Sequence, residues 1–314
     1  MTEKRITLAL LAGGTSGERE VSLKGAEGVM QALDRKKYDV RRYDPAMDLP
    51  RLLAEADEID AAFVLLHGPL GEDGTIQGFL DLLGIPYQGS GVLGSAMAMD
   101  KHVAKILYQD AGLVVPPWVT LFRGEEVRPD PIVSKLGLPA VVKPVQQGSS
   151  LGMSIPKSSS LLMQGIENAF KYDSRVMVET FIQGREITGG VIGNETLTAL
   201  PLVEIRPGEG FDFFTYQAKY QPGATEEICP APLDEGIAAR ARQYAVTAHK
   251  ALHLKGYSRT DMIVDKKGEI YVLETNTIPG MTPTSLFPLA AAAAGLSFSA
   301  LLDRLIEQAL SGQG

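Results

Sequence analysis

The first hundred residues alternate between apolar strands and amphipathic helices, and this alternation is the strongest constraint on the fold. Residues 5–12 (RITLALLA) are almost wholly apolar, which is typical of a parallel strand covered on both faces. DAAFVLLHG at 60–68 is a second run of this kind, and GTIQGFLDLLG at 74–84 predicts a helix that ends at Gly84. The pattern predicts an open parallel α/β sheet over residues 1–98.

Later segments predict shorter and more mixed elements. Residues 99–183 contain a helix, the short strands AVVKP and VMVETFI, and a second helix near 160–171, which together predict a small α+β unit. Residues 184–314 return to strands, followed by a long helix near 235–253 and the hairpin DMIVDKKGEIYVLE. With the first sheet, this organisation predicts three domains.

Composition limits the partners and the compartment. The 314 residues are 45% hydrophobic and 22% charged, as in ordinary soluble chains, and the net charge of −8 argues against a nucleic-acid or anionic-membrane partner. The single cysteine, Cys229, cannot form an internal disulfide, which favours a reducing cytoplasm. Residues 285–302 are alanine-rich, but Pro288 and Gly295 interrupt them, so they predict core helices and not a membrane span.

The second strand of the hairpin ends in a carboxylate and an amide, Glu274 and Asn276. Residues two apart in a strand share a face, so these two side chains point the same way. The first strand carries Asp261. Carboxylate and amide oxygens are the hard ligands that Mg²⁺ uses together with substrate phosphates. The alternative is that Glu274 and Asn276 are merely a solvated strand end.

Whether Asp261 joins that face depends on the turn. A two-residue loop that pairs Asp265 with Gly268 would put Asp261, Val272 and Glu274 on one face. A bulge at Gly268 would shift the register by one residue and remove Asp261 from that face. The hydrophobic pattern fits either register.

A phosphate-binding candidate lies in the segment AVVKPVQQGSSLGMS at 140–154. An apolar strand ends in Lys143, and the following loop contains Gly148 and Gly152, so an ammonium and close-approach backbone N–H groups are available to a phosphate. Such a loop is also a common plain turn. The chain has neither the P-loop pattern nor the dinucleotide-binding glycine pattern.

Seven motifs in a fixed order connect these sites to a known family. They are GGTSGEREVSL, LHGPLGEDGTIQG, GSGVLGSAMAMDK, VVKPVQQGSSLGMS, QAKY, SRTDM and LETNTIPGMT. In order and spacing, and over nearly the whole chain, they closely resemble the D-alanine–D-alanine ligases of the ATP-grasp superfamily. The resemblance implies a mixed α/β and α+β protein of three domains: an N-terminal open parallel α/β substrate-binding domain (1–98), a central ATP-grasp lobe (99–183) and a C-terminal ATP-grasp and metal-binding domain (184–314). A cytoplasmic homodimer is common among such ligases.

The resemblance also implies a set of ligand-binding residues. ATP would be contacted by Lys101, Lys143, Glu179, Thr180, Ile182, Glu186 and Lys219. Two Mg²⁺ or Mn²⁺ ions would be held by Asp261, Glu274 and Asn276.

The same resemblance assigns roles at the D-alanine sites. Glu18 would hold the ammonium of the first D-alanine, in a hydrogen-bonded set with Ser149 and Tyr220. Arg259 and the backbone N–H of Gly280 would form the oxyanion site, and Ser285 with Leu286 would place the second D-alanine. His67 and Glu72 would line the N-terminal loops, where a purely structural His–Glu contact is the alternative. The segments 211–225 and 145–152 would close over the site.

The implied reaction is ATP-dependent ligation of two D-alanines through a D-alanyl phosphate, for peptidoglycan precursor synthesis. An alternative within the superfamily is a ligase that joins D-alanine to D-lactate, or another carboxylate–amine ligase. An alternative of a different class is a non-catalytic nucleotide-binding module, which would keep Lys143 but would need neither Asp261 with Glu274 nor Arg259.

Overall fold

The first part of the molecule is a three-stranded parallel sheet, seen in a computed structural model that describes residues 4–208 and 225–311. Its elements are β1 (Ile6–Leu11), α1 (Arg19–Ala32), β2 (Tyr38–Tyr43), α2 (Leu49–Ala54), β3 (Ala61–Val64) and α3 (Thr75–Leu83). The strand order is β2-β1-β3. Leu8 and Leu10 pack into one core on one face of β1, while Ala9 and Leu11 pack into another on the opposite face. The predicted parallel strand buried on both faces is therefore confirmed.

The central part is a three-stranded antiparallel sheet of order β4-β6-β5 with helices beside it. Its elements are α4 (Val92–Met99), α5 (Lys101–Asp110), β4 (Trp118–Phe122), α6 (Pro129–Leu136), β5 (Ala140–Pro144), α7 (Ser159–Ala169) and β6 (Arg175–Thr180). Val142 and Val178 face α6 and α7 in one core. Because side chains alternate along a strand, their neighbours Lys143 and Glu179 face the other side of the sheet.

The last part is a six-stranded antiparallel sheet of order β10-β9-β7-β11-β12, with β8 paired to β7. Its elements are β7 (Gly184–Ile192), β8 (Thr198–Ala199), β9 (Val203–Pro207), β10 (Thr225–Ile228), α8 (Glu235–Ala251), β11 (Tyr257–Asp265), β12 (Ile270–Asn276), α9 (Leu286–Ala293) and α10 (Phe298–Ser311). The long helix α8 packs against β7 and β11 in a core of its own. The domain limits at residues 98 and 183 stay a prediction.

The β11–β12 hairpin departs from the two-residue-loop register at two places. Gly268, with a φ of 80°, closes the turn and donates a 3.0 Å hydrogen bond to the carbonyl of Asp265. The second is a register shift between Asp261 and Met262, where Leu273 is the extra residue, and it brings Asp261 directly opposite Glu274. The bulge alternative at Gly268 is therefore correct, yet Asp261 still shares a face with Glu274. Val272, which the unbulged register put on that face, is turned into the core.

The helices α9 and α10 pack beneath the first sheet. In α10, Leu301 and Leu305 enter the core that contains Leu8 and Phe63. Asp303 accepts a 2.9 Å hydrogen bond from the hydroxyl of Tyr38 in β2. Across residues 4–208 and 225–311, no single helix is long and apolar enough to cross a membrane, and only α9 and α10 together, bent by 103°, have the length and composition for one.

Candidate active site

One cavity lies between the central sheet and the β11–β12 hairpin. The predicted ATP and metal residues that line it are Lys101, Lys143, Glu179, Thr180, Ile182, Glu186, Asp261 and Glu274. Apolar side chains complete its walls, among them Met153, Ile155 and Leu273. Positive and negative groups therefore converge on a partly apolar space, which is the usual composition of a nucleotide pocket.

On the central-sheet wall, Glu179 sits between two lysines. Its Oε1 is 2.7 Å from Lys143 Nζ, and its Oε2 is 2.6 Å from Lys105 Nζ. The Glu179 side chain is only 4% exposed, and that of Lys105 is 0% exposed. Burial acts to raise the pKa of Glu179, but the two ammonium groups outweigh it and lower the pKa. Burial acts to lower the pKa of Lys143, but Glu179 and Glu274 outweigh it and raise the pKa. Lys143 and Glu179 are therefore both charged.

On the hairpin wall, two carboxylates face each other. Asp261 is opposite Glu274, and Arg259 is opposite Asn276. Arg259 donates two 2.8 Å hydrogen bonds to Asp261, one from Nε and one from an Nη. Lys101 Nζ lies 3.5 Å from Glu274 and donates a 2.7 Å hydrogen bond to the carbonyl of Gln147. This wall is more open, because the Glu274 side chain is 34% exposed.

The donor set on the hairpin wall fits a divalent cation. Like charges directly opposite each other destabilise an antiparallel pair, and a cation between Asp261 and Glu274 would relieve that repulsion. Asn276 Oδ1 accepts a 2.9 Å hydrogen bond from the N–H of Ile278, and an amide oxygen has a second lone pair to offer. All three groups are hard oxygen ligands on one face, as Mg²⁺ and Mn²⁺ require.

The loop after β5 joins this cavity to the first sheet. The hydroxyl of Ser149 donates a hydrogen bond to Glu18. Ser149 itself has a left-handed backbone, with a φ of 49°. A Cβ on Gly148 would lie 2.9 Å from Glu18 Oε2, so a larger residue there would displace the Glu18 carboxylate. The predicted pairing of Glu18 with Ser149 is thus present in the structure.

His67 and Glu72 are buried near Glu18. Burial lowers the pKa of His67, although the charge of Glu18 opposes this. Burial and the charge of Glu18 raise the pKa of Glu72 to about 8, and Glu72 accepts a 2.7 Å hydrogen bond from the N–H of Gly68. Among the described contacts, His67 and Glu72 form neither a hydrogen bond nor an ion pair with each other. A smaller cavity joins Glu72 to Glu274 and Asn276.

The remaining predicted residues lie on the loop before α9. Ser285 is the N-cap residue of α9, and Leu286 is its first residue. A Cβ on Gly280 would lie 3.1 Å from the Ser285 hydroxyl, so these positions are neighbours. This loop passes along α1, where a Cβ on Gly28 would be 3.4 Å from Pro283. Lys219 and Tyr220, with most of the predicted closing segment 211–225, lie outside the described residues.

Lys105 belongs to the central-sheet wall but is not predicted from the sequence. A lysine in an amphipathic helix normally lies on the solvent side, and Lys105 was not distinguished from such a residue. The available signal was its position four residues after Lys101, because residues i and i+4 share a face of a helix.

A larger cavity lies elsewhere in the molecule. It measures about 1000 Å³ and is lined by loops around residues 84–91, 194–197 and 249–256 together with the end of α10. The predicted ATP and metal residues that the structure describes line the smaller cavities instead. Convergence of charged groups, and not size, identifies the candidate site.

Two family models match this chain. The model of the D-ala D-ala ligase C-terminus matches residues 107–307, and that of the D-ala D-ala ligase N-terminus matches residues 44–90. The chain belongs to the D-alanine–D-alanine ligase family. It is 59% identical to the D-alanine–D-alanine ligase of Syntrophobacter fumaroxidans, with 99% of each chain covered. The enzyme of that name from Desulfotalea psychrophila is 57% identical, over 98% of this chain and 96% of the relative.

Solved structures of this ligase family have the same fold. The D-alanine–D-alanine ligase from Bacillus anthracis complexed with ATP matches with a TM-score of 0.86 and 36% identity, covering 98% of both chains. The VanG D-Ala:D-Ser ligase from Enterococcus faecalis matches with a TM-score of 0.83 and 34% identity, covering 97% of this chain and 99% of that one. The predicted three-domain ATP-grasp architecture, mixed α/β and α+β, is confirmed as the fold.

Proposed function

We propose that this chain joins two D-alanine molecules to D-alanyl-D-alanine, with conversion of ATP to ADP and phosphate, for peptidoglycan precursor synthesis. The observation that carries the proposal is the convergence of Lys101, Lys143, Asp261 and Glu274 on one cavity, in a member of the D-alanine–D-alanine ligase family. A nucleotide-binding module would need Lys143 alone, whereas a ligase needs the carboxylates as well.

ATP would lie in this cavity, with its phosphates toward Lys101 and Lys143. Thr180, Ile182 and Glu186 line the same cavity and would contact the adenine and ribose, with Glu179 beside them. Asp261, Glu274 and Asn276 would hold two Mg²⁺ or Mn²⁺ ions, which when bound neutralise phosphate charge and polarise the transferred group. Lys219 would reach the γ-phosphate.

The first chemical step makes the carboxylate of D-alanine reactive. A carboxylate oxygen of the first D-alanine attacks the γ-phosphorus, the bond to the bridging oxygen breaks, and ADP leaves. Glu18 would hold the ammonium of this D-alanine, oriented by the hydroxyl of Ser149. His67, which burial keeps neutral, would line the same pocket.

The second step forms the peptide bond. The amine of the second D-alanine attacks the carbonyl carbon of D-alanyl phosphate, and phosphate leaves after the amine has lost its proton. The tetrahedral oxyanion would be stabilised by Arg259 and the N–H of Gly280, while Ser285 and Leu286 would place the second D-alanine. Burial acts to lower the pKa of Arg259, but the charges of Asp261 and Glu274 outweigh this effect and raise the pKa. The guanidinium therefore stays charged.

Choice of the acceptor distinguishes this activity from related ones. A relative of similar fold is a D-Ala:D-Ser ligase, and a D-Ala:D-lactate activity would use the same ATP and metal residues. Tyr220, with Ser149 and Glu18, would favour an amine acceptor, because a phenol can assist loss of the ammonium proton. Its replacement by phenylalanine would raise the share of ester when D-alanine and D-lactate compete, most of all at low pH.

The test is phosphate release from ATP with one added substrate at a time. D-alanine should support release and yield the dipeptide, whereas L-alanine and D-lactate alone should not. Formation of D-alanyl-D-lactate in preference to the dipeptide when D-lactate is added together with D-alanine would overturn the choice of acceptor, and no release with any of the substrates would overturn the ligase activity. We also propose a cytoplasmic homodimer, to be checked by light scattering of the purified protein and by cell fractionation.

A further inference from the structure

A lysine with no assigned role lies completely buried behind the ATP cavity. Lys105 is on α5, one turn after Lys101, and its side chain has no exposure to solvent. Its Nζ is 2.6 Å from Glu179 Oε2 and donates a 3.1 Å hydrogen bond to the carbonyl of Pro116. The ammonium also lies 5.3 Å from the centre of the Trp118 ring. A fully buried lysine is rare unless it is paired, so its position needs an explanation.

We propose that Lys105 is a positioning residue for ATP binding, which balances the charge of Glu179 so that the positive charge of Lys143 remains available to the phosphates. Glu179 has one carboxylate for two ammonium groups, at 2.7 and 2.6 Å. The three side chains together carry one net positive charge, and of the two ammonium groups it is that of Lys143 that lines the cavity, beside Glu179. This inference rests on the proposed function, because it assumes that ATP occupies the cavity.

Removal of Lys105 would change the net charge beside Lys143. Glu179 would then have Lys143 as its sole cationic partner, and the pair would be neutral in a site that screens charges poorly. Burial lowers the pKa of Lys105 to about 8, while Glu179 acts to raise it, so the ammonium form predominates at neutral pH. Lys105 does not line the cavity, so the effect must pass through Glu179.

Direct titration of the protein with MgATP and with adenosine, without D-alanine, tests the proposal. Lys105→Met should raise the Kd for MgATP about tenfold or more and leave the Kd for adenosine within about twofold, because adenosine has no phosphates. Lys105→Gln removes the charge but retains hydrogen-bond donors to Pro116 and Glu179, so it should show the same split if Lys105→Met fails to fold. The control Lys135→Met removes an exposed lysine on α6 and should change neither constant.

A double variant distinguishes charge balance from packing. Lys105→Met with Glu179→Gln removes one charge of each sign, so it should bind MgATP about threefold or more tighter than Lys105→Met alone. If Lys105 merely packs, the double variant will bind no better than the single one, and adenosine will be lost together with ATP. Either result, or an unchanged Kd for MgATP in Lys105→Met, overturns the proposal. Failure of the unmutated protein to bind MgATP would overturn the proposed function instead.

Discussion

The two walls of the proposed ATP cavity differ in how their charged side chains are paired and buried. On the central-sheet wall, the carboxylate of Glu179 is enclosed between Lys105 and Lys143, and all three side chains are nearly or fully buried. On the hairpin wall, Asp261 and Glu274 stand opposite each other, and the Glu274 side chain is about a third exposed. On the central-sheet wall, the charged side chains are held in place before any ligand binds. The hairpin wall concentrates negative charge where a cation can reach it.

This difference predicts that substitutions on the two walls will affect stability differently. Breaking a buried ion pair by removing one partner leaves an uncompensated charge and is strongly destabilising, so changes on the central-sheet wall should affect both folding and binding. Glu274 is about a third exposed, so its neutralisation should relieve repulsion and affect catalysis with little loss of stability. Asp261 is the buried partner of Arg259, so its neutralisation should cost stability as well. The predictions below test that separation, beginning with the largest effect.

The largest effect is expected on the hairpin wall. Asp261→Asn and Glu274→Gln should each reduce turnover by about a thousandfold or more, because each removes charge from a proposed divalent-cation site. The melting temperature should stay the same or rise for Glu274→Gln, and it should fall for Asp261→Asn, which weakens the buried ion pair with Arg259. Phosphate release and thermal unfolding measure the two quantities, with the exposed Glu167→Gln on α7 as the control. Near-normal turnover in both variants would contradict the metal assignment.

A smaller effect is expected at Lys143. Lys143→Met should raise the KM for ATP by about thirtyfold, while the KM for D-alanine changes less than about twofold, because the ammonium acts on phosphates. The protein should also lose stability, since Glu179 would then be paired with Lys105 only. Steady-state kinetics with each substrate varied in turn measures the split. Equal changes in both KM values would mean that Lys143 has a structural role, and Lys157→Met offers an exposed control.

Glu72 is a buried carboxylate outside the hairpin wall, and its protonation can be measured through the pH dependence of stability. Its pKa is raised to about 8 by burial and by Glu18, above the value of about 4.5 expected in the unfolded chain. Between these two values the unfolded chain releases the proton and the folded chain keeps it, so the contribution of Glu72 to stability falls as the pH rises from about 4.5 to 8. Glu72→Gln should remove this fall, so between pH 5 and pH 8 the stability of the variant should increase relative to that of the unmutated protein by about 3 kcal/mol.

Urea unfolding at several pH values measures the effect of Glu72. Parallel stability profiles for the two proteins would show that Glu72 titrates normally in the folded state. Gln keeps an acceptor for the N–H of Gly68, so the comparison isolates the charge.

The smallest effect is expected from the apolar part of the hairpin wall. Leu273→Ala should raise the KM for ATP by about threefold and leave turnover unchanged, because it removes only apolar contact with the nucleotide. The bulge is made by the backbone and should persist. A fall in turnover comparable to that of Glu274→Gln would mean that Leu273 also sets the position of the carboxylates.

The sequence was informative where a local pattern determines structure. The continuous apolar run of β1 predicted a strand covered on both faces, because a strand with one solvated face would alternate. The pairing of Glu18 with Ser149 followed from family resemblance, since the two residues are far apart in the chain and no periodicity connects them.

Features that depend on tertiary contacts could not be predicted from the sequence. The bulge at Leu273 has no local signal, and it accompanies a 2.8 Å hydrogen bond from the N–H of Val272 to the carbonyl of Val114, far away in sequence. Burial of Lys105 likewise depends on Glu179, a residue of another strand. Both features are properties of packed neighbours and not of a window of residues.

The packing of α10 against the first sheet has a consequence for how the chain is made. Leu8 and Leu10 of β1 leave the ribosome early, whereas Leu301 and Leu305, which share their core, are added after nearly all other described residues. One face of the first sheet, which α1 covers only in part, therefore lacks the cover of α10 through most of translation. A nascent chain of this protein stalled before residue 298 should remain sensitive to protease within β1 to β3, and it should become resistant once α10 has emerged.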